Sequence, residues 1–217
     1  MIERGHQYAT QSKSSRNRIA QLSESFIREG STILTHGFSR AVLAILLRAN
    51  SQGKRFTVIV TEARPDDIGY VTAKRLHDAN IPINLITDAA VAHYMDRIDL
   101  VLVGAEGIVE NGGIINKTGT HQLSIVAKAL NKPFYVAAES FKFMRFYPLN
   151  QRDLTTLKSE ENKFNYCKEC APQDIKNIKV INPSNDYTPP NYITLLFTEL
   201  GVLTPSAVSD ELIKLYY

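Results

Sequence analysis

The segment Val103-Gly104-Ala105-Glu106-Gly107-Ile108-Val109-Glu110-Asn111-Gly112-Gly113-Ile114-Ile115-Asn116-Lys117-Thr118-Gly119-Thr120 joins two readable elements. Before it lies an apolar, β-branched run, Leu100 to Val103, and after it a helical pattern extends from Thr120 to Leu130. Five of the eleven glycines fall between positions 104 and 119, where backbone amides can approach an anion at the entrance to a helix. Lys117 adds a mobile positive charge there, and Thr118 and Thr120 add hydroxyls. A phosphate suits this chemistry; a tight turn without any ligand is the alternative.

Outward from that segment, the same alternation repeats. Short apolar runs at Ser31–Thr35, Phe56–Thr61, Ile83–Thr87 and Phe134–Ala137 are separated by helical stretches at Ser39–Asn50, Gly69–Ala79 and Ala89–Asp96. This order predicts a doubly wound, mostly parallel α/β sheet of Rossmann-like type, with helices on both faces and ligand sites at the carboxyl ends of the strands. Two more strand ends then become candidates. Arg64, in Thr61-Glu62-Ala63-Arg64-Pro65, presents a planar donor fork suited to phosphate, or else an ion pair with Asp66 or Asp67. In Thr35-His36-Gly37, His36 is placed to donate to a sugar hydroxyl or to satisfy a loop carbonyl. The Gly-x-Gly-x-x-Gly fingerprint of dinucleotide binding is absent after the first strand, so no such cofactor is expected.

From Ser14 to Glu29, Ile19, Leu22, Phe26 and Ile27 share one helical face that ends at Gly30, so residues 1–30 read as an amino-terminal segment and 31–217 as the α/β domain. Residues 150–190 turn polar and read as a surface excursion, with Phe164, Ile175, Val180 and Ile181 as its apolar anchors. Thr188-Pro189-Pro190 is expected to start a helix closing at Gly201, and Thr204-Pro205 to open the last one. On that last helix Val208, Leu212 and Leu215 form an apolar stripe before Tyr216-Tyr217, suited to a partner or to the chain's own sheet. The nearly uncharged stretch Ile86–Met95 carries the same two readings.

At 217 residues, 44% hydrophobic and 22% charged, the composition is that of one globular core. The net charge of +3, with both signs interspersed, gives no concentrated basic face for nucleic acid. The longest apolar run, Ala41 to Leu47, is far short of the about 20 residues that span a bilayer, so a soluble cytosolic protein is expected. Cys167 and Cys170 lack the second ligand pair of a zinc site, and no metal is expected.

Taken together, the glycine-rich segment, Thr-Glu-x-Arg-Pro at 61–65, Thr35-His36, Tyr187-Thr188-Pro189-Pro190 and Thr198-Glu199-x-Gly201 resemble the superfamily that joins regulatory subunits of translation initiation factor 2B with ribose-phosphate isomerases. Ala138-Glu139-Ser140-Phe141-Lys142-Phe143 and Gly201 to Asp210 resemble its regulatory branch. The resemblance places Gly37 and Glu106 where the isomerases use a cysteine and an aspartate for proton transfer. Glycine transfers no proton, and a missing acid or base costs about 10² to 10⁴ in rate. The resemblance therefore implies an anion pocket of Thr35, His36, Arg64, Gly112, Gly113, Asn116 and Lys117 that has lost its chemistry, with an active sugar-phosphate isomerase as the alternative. A phosphosugar or nucleoside monophosphate is the implied ligand. It further implies a regulatory scaffold that forms a homodimer, joins beta, gamma, delta and epsilon subunits into a guanine nucleotide exchange factor, and helps sense phosphorylation of the alpha subunit of initiation factor 2 under stress. Full-length members are expected to carry a helical amino-terminal domain, of which the Ser14–Gly30 helix is the part readable here.

Overall fold

The computed structural model describes residues 2–156 and 182–216. The chain opens with α1 (Ile2–Ser23), continued by a 3-10 turn at Glu24–Phe26. The Ser23 hydroxyl donates to Ile19 O, and Lys54 Nζ donates to Ile27 O at 2.9 Å, so the helix end is satisfied some residues before Gly30. Then follow β1 (Thr32–His36), α2 (Arg40–Ser51), β2 (Thr57–Thr61), α3 (Gly69–His77) and β3 (Ile83–Ile86). A broken helical stretch containing α4 (Val91–Tyr94) leads to β4 (Leu100–Gly104). Next come β5 (Gly107–Val109), β6 (Ile114–Lys117), α5 (Thr120–Ala129), β7 (Phe134–Ala137) and β8 (Phe143–Met144). After residue 181 come β9 (Asn185–Thr188), β10 (Leu195–Thr198), β11 (Gly201–Leu203) and α6 (Val208–Tyr216).

Seven strands form the main sheet in the order β11-β10-β7-β4-β1-β2-β3, parallel except for β11. Strand order runs outward from β1 to β3 and then restarts on the other side with β4, so the switch point lies between β1 and β4. One apolar cluster unites Ile19, Ile45, Leu46, Leu76 and Phe197; the other unites Met95, Leu123, Phe134, Val208 and Leu212 on the opposite face. The central strands are therefore buried on both sides and read as continuous apolar runs, whereas the edge strand β3 exposes Asn84 and Leu85. None of the described helices is long and apolar enough to cross a membrane.

Two expectations are corrected. The glycine-rich segment is not one loop but a hairpin, β5 and β6, which with β8 and β9 makes a separate four-stranded sheet. Asn111-Gly112-Gly113 is its turn: Gly113 N donates to Asn111 Oδ1 at 2.9 Å, and Gly112 takes φ +83. No helix joins Thr188 to Gly201 either. Thr188 ends β9, a 3-10 turn covers Pro190–Tyr192, and Leu195–Thr198 is a strand lying between β7 and β11. The apolar run there is too short for a helix of ordinary length, and its Leu196 and Phe197 are buried on opposite faces, which only an extended chain permits.

The two undecided faces also resolve. Val208 and Leu212 pack on the sheet, as do Val91 and Met95, whereas Ala92 and His93 stay exposed. Cys167, Cys170, Phe164, Ile175, Val180, Ile181 and Tyr217 lie outside the described residues, as do the side chains of Leu215 and Tyr216.

Candidate functional site

The carboxyl ends of β1, β4 and β7, with the end of β6, enclose a cavity of about 180 Å³. His36, Ser39, Arg40, Glu106, Asn116, Lys117, Glu139 and Lys142 supply its polar lining. His36, Asn116 and Lys117 stand in the last residues of β1 and β6, and the others come from segments just beyond a strand or at a helix entrance, where side chains converge at a switch point.

Lys117 Nζ stands 2.9 Å from Asp66 and 3.5 Å from Glu106. Partial burial alone would pull its pKa down, but the two carboxylates outweigh that and hold the ammonium charged. Glu106 is tied from its other side by Asn185 Nδ2 at 2.6 Å. Asn116 is buried and donates to Thr120 Oγ1 at 3.1 Å, which fixes the turn carrying Lys117.

His36 is buried, with Nε2 2.9 Å from Thr118 O and Nδ1 2.6 Å from Thr61 Oγ1. A carbonyl only accepts, so Nε2 carries the proton and Nδ1 accepts from the threonine. Burial lowers the ring's pKa, opposed by Asp88 and by Thr118 O, and the imidazole is neutral near pH 7. Of its two readings, satisfying a loop carbonyl is the one realised.

The predicted residues do not all meet. Gly37 takes φ +70, and a Cβ there would lie 3.8 Å from Lys117 Cγ, so Gly37 and Glu106 flank the same lysine. Arg64 instead lines a neighbouring open groove with Asp88, His121 and Asp186, and pairs with Asp67 at 3.0 Å and Glu62 at 3.4 Å. Thr35 is buried within β1 and lines neither space. Gly112 and Gly113 pack at the hairpin tip, where a Cβ would strike Pro205 O at 2.1 Å and the Tyr187 ring at 2.6 Å. Those two glycines serve chain packing and do not line the cavity, where the glycine-rich segment contributes Gly104 instead.

Ser39, Arg40, Glu139, Lys142 and Asn185 belong to the site beyond the residues expected from the sequence. Glu139 and Lys142 had a usable signal, lying two and five residues beyond a run that reads as a strand. Asn185 had none, because it arrives from the polar excursion through β9. The hairpin also had a signal: Asn-Gly-Gly between two apolar runs.

Fold and cavity together define a doubly wound α/β protein with its candidate site at the switch point. The sequence profile of the initiation factor 2 subunit family matches residues 1–205, and this chain belongs to that family. It is 62% identical over its whole length to the translation initiation factor eIF2B subunit alpha of Dictyostelium discoideum, covering 68% of that protein. It is 36% identical to a ribose 1,5-bisphosphate isomerase of Archaeoglobus fulgidus, over 94% of this chain and 64% of that one. Among solved structures, the translation initiation factor eIF-2B of Pyrococcus horikoshii superposes with a TM-score of 0.81 at 30% identity, over 94% of this chain and 69% of that one.

Proposed function

We propose that this chain acts as a regulatory, non-catalytic alpha-type subunit of the eIF2B assembly in translation initiation, and that its cavity holds a small phosphosugar without transforming it. The 62% identity to a subunit of that name supports the role, while the isomerase relative stands at 36%. The observation that carries the non-catalytic reading is local. Gly37 offers no side chain, Glu106 is occupied by Lys117 and Asn185, and both nitrogens of His36 are engaged. The two carboxylates that line the cavity, Glu106 and Glu139, each stand against a lysine.

The ligand follows from size and charge. A volume of about 180 Å³ lies below the roughly 300–1,000 Å³ of sites for drug-sized ligands, which favours a phosphosugar over a nucleoside monophosphate. Asn116, Lys117 and Arg40 would meet its anionic end. In this reading the chain pairs as a homodimer in the cytosol, joins beta, gamma, delta and epsilon subunits, and helps sense phosphorylated initiation factor 2.

Sedimentation tests the assembly. A dimer at micromolar concentration that shifts to a larger species with beta and delta subunits is expected; a strict monomer that binds neither would overturn the proposal.

A further inference from the structure

Glu139 follows β7 and is 1% exposed, and its carboxyl group is paired with cations. Burial pulls its carboxyl up, and Lys142, its own backbone N–H and Arg16 outweigh burial and hold it below the usual range. Two cations from distant parts of the chain share it. Arg16 of α1 donates through Nη1 to Glu139 Oε1 at 3.1 Å, and the same nitrogen donates to the Ser12 hydroxyl one turn back. Lys142 Nζ stands 3.3 Å from Oε2, an oxygen that accepts no hydrogen bond among the described residues, and donates to Ala105 O at 2.7 Å. Glu139 and Lys142 line the cavity, whereas Arg16 pairs with Glu139 without lining it.

We propose that the seating of α1 and the binding of an anion in the cavity are coupled through Glu139. Arg16 neutralises the carboxylate and thereby releases Lys142 to serve the anion. This rests on the reading that the cavity takes a phosphate-bearing ligand. Without Arg16, Lys142 is the remaining cation of a buried charge that is costly to leave unpaired, so its ammonium stays with Glu139. With Arg16 seated, Lys142 can turn toward a phosphate while Glu139 keeps a partner. Linkage requires the converse: an anion that draws Lys142 away leaves Glu139 to Arg16 and holds α1 more firmly against the sheet. Arg16 is a positioning residue, since it acts through Glu139 and touches no ligand.

Calorimetric titration of the full chain with ribose 5-phosphate and with inorganic phosphate tests the coupling. Arg16→Ala is expected to weaken binding by at least about fivefold, the lower end of ordinary coupling between sites. In the Glu139→Gln background, where Lys142 has no carboxylate to neutralise, the same change should alter affinity by less than roughly twofold. Arg16→Lys should retain most of the affinity. Equal losses in both backgrounds would mean that Arg16 merely supports the fold, and would overturn the proposal. Should Glu139→Gln not fold, hydrogen exchange of wild-type residues 12–23 takes its place. Exchange slowed by saturating ribose 5-phosphate supports the coupling; unchanged exchange beside measured binding refutes it. If wild type binds neither probe, the cavity reading falls and the coupling falls with it.

Discussion

At the scale of single residues, the site depends on close approach at the end of β4. A Cβ added to Gly104 would lie 2.5 Å from both Cβ and Oγ of Ser39, the residue whose hydroxyl caps α2 by accepting from Val42 N. Neither atom is the far end of a flexible chain, so Gly104→Ala should lower stability by about 1–3 kcal/mol, measured by urea denaturation. Lys117 and Arg64 separate two questions that look like one in the sequence. A phosphosugar at about 100 times its dissociation constant should add about 2.7 kcal/mol of stability. That gain should vanish in Lys117→Ala and survive in Arg64→Ala, because the arginine faces the neighbouring groove. A shift lost in Arg64→Ala and kept in Lys117→Ala would exchange their roles. The sequence made Arg64 attractive through its position after a strand; it held no information on which way the loop turns. Ala63 N and Arg64 N donate to the Asp88 carboxylate from the end of β3, and that long-range contact sets the turn.

At the scale of elements, β9 holds the amino-terminal end of α5 from outside. Asp186 Oδ2 accepts from Gly119 N at 2.8 Å and His121 N at 3.0 Å, while Oδ1 has no hydrogen-bond partner among the described residues. Burial raises its pKa to about 7 despite those two bonds. A carboxyl raised in the folded state binds its proton more tightly there than in the unfolded chain. Its contribution is therefore complete below about pH 4 and declines as pH rises toward 7, by at most about 1.4 kcal/mol per unit. His36 and His121, both lowered by burial, act oppositely by destabilising the fold as pH falls below about 6.5. The readout is thus a difference: Asp186→Asn should gain stability relative to wild type as pH rises from 4 to 7. A pH-independent difference in denaturation midpoint would contradict this account.

The same elements show what the sequence could express. The strands β1, β2, β4 and β7 were legible because burial on both faces demands uninterrupted apolar runs, and β3, with Asn84 and Leu85 exposed at the sheet edge, was legible from its place in the alternation. The strand β10 was misread because Thr188-Pro189-Pro190 mimics a helix start, while the residues that fix it as a strand belong to β7, whose partners Tyr135, Val136 and Ala137 lie far away in sequence. The second sheet was missed for a related reason: β9 pairs with β6 across about seventy positions, and only the Asn-Gly-Gly turn was a local sign of it.

At the scale of the whole molecule, α1, α2 and the sheet meet around Phe197, whose ring packs tilted against Phe26 at 4.8 Å and Tyr135 at 5.1 Å. Phe197→Ala should cost about 3–5 kcal/mol and loosen α1. Loss of α1 protection in hydrogen exchange would separate this effect from uniform destabilisation. The sequence pointed only to the carboxyl ends of the strands; which ends flank the cavity depends on the strand order, which pairing sets. The identity of the cavity's charged lining was not legible, because Glu139 and Lys142 matter only once Arg16 and Ala105 are brought beside them. The central claim is that this cavity retains a ligand and leaves its bonds intact. Incubating the purified chain with ribose 1,5-bisphosphate and following the sugar protons by NMR tests it most directly. Saturable line broadening with no new sugar resonances is the predicted result; steady conversion to an isomerised product, abolished in Glu106→Gln, would contradict it.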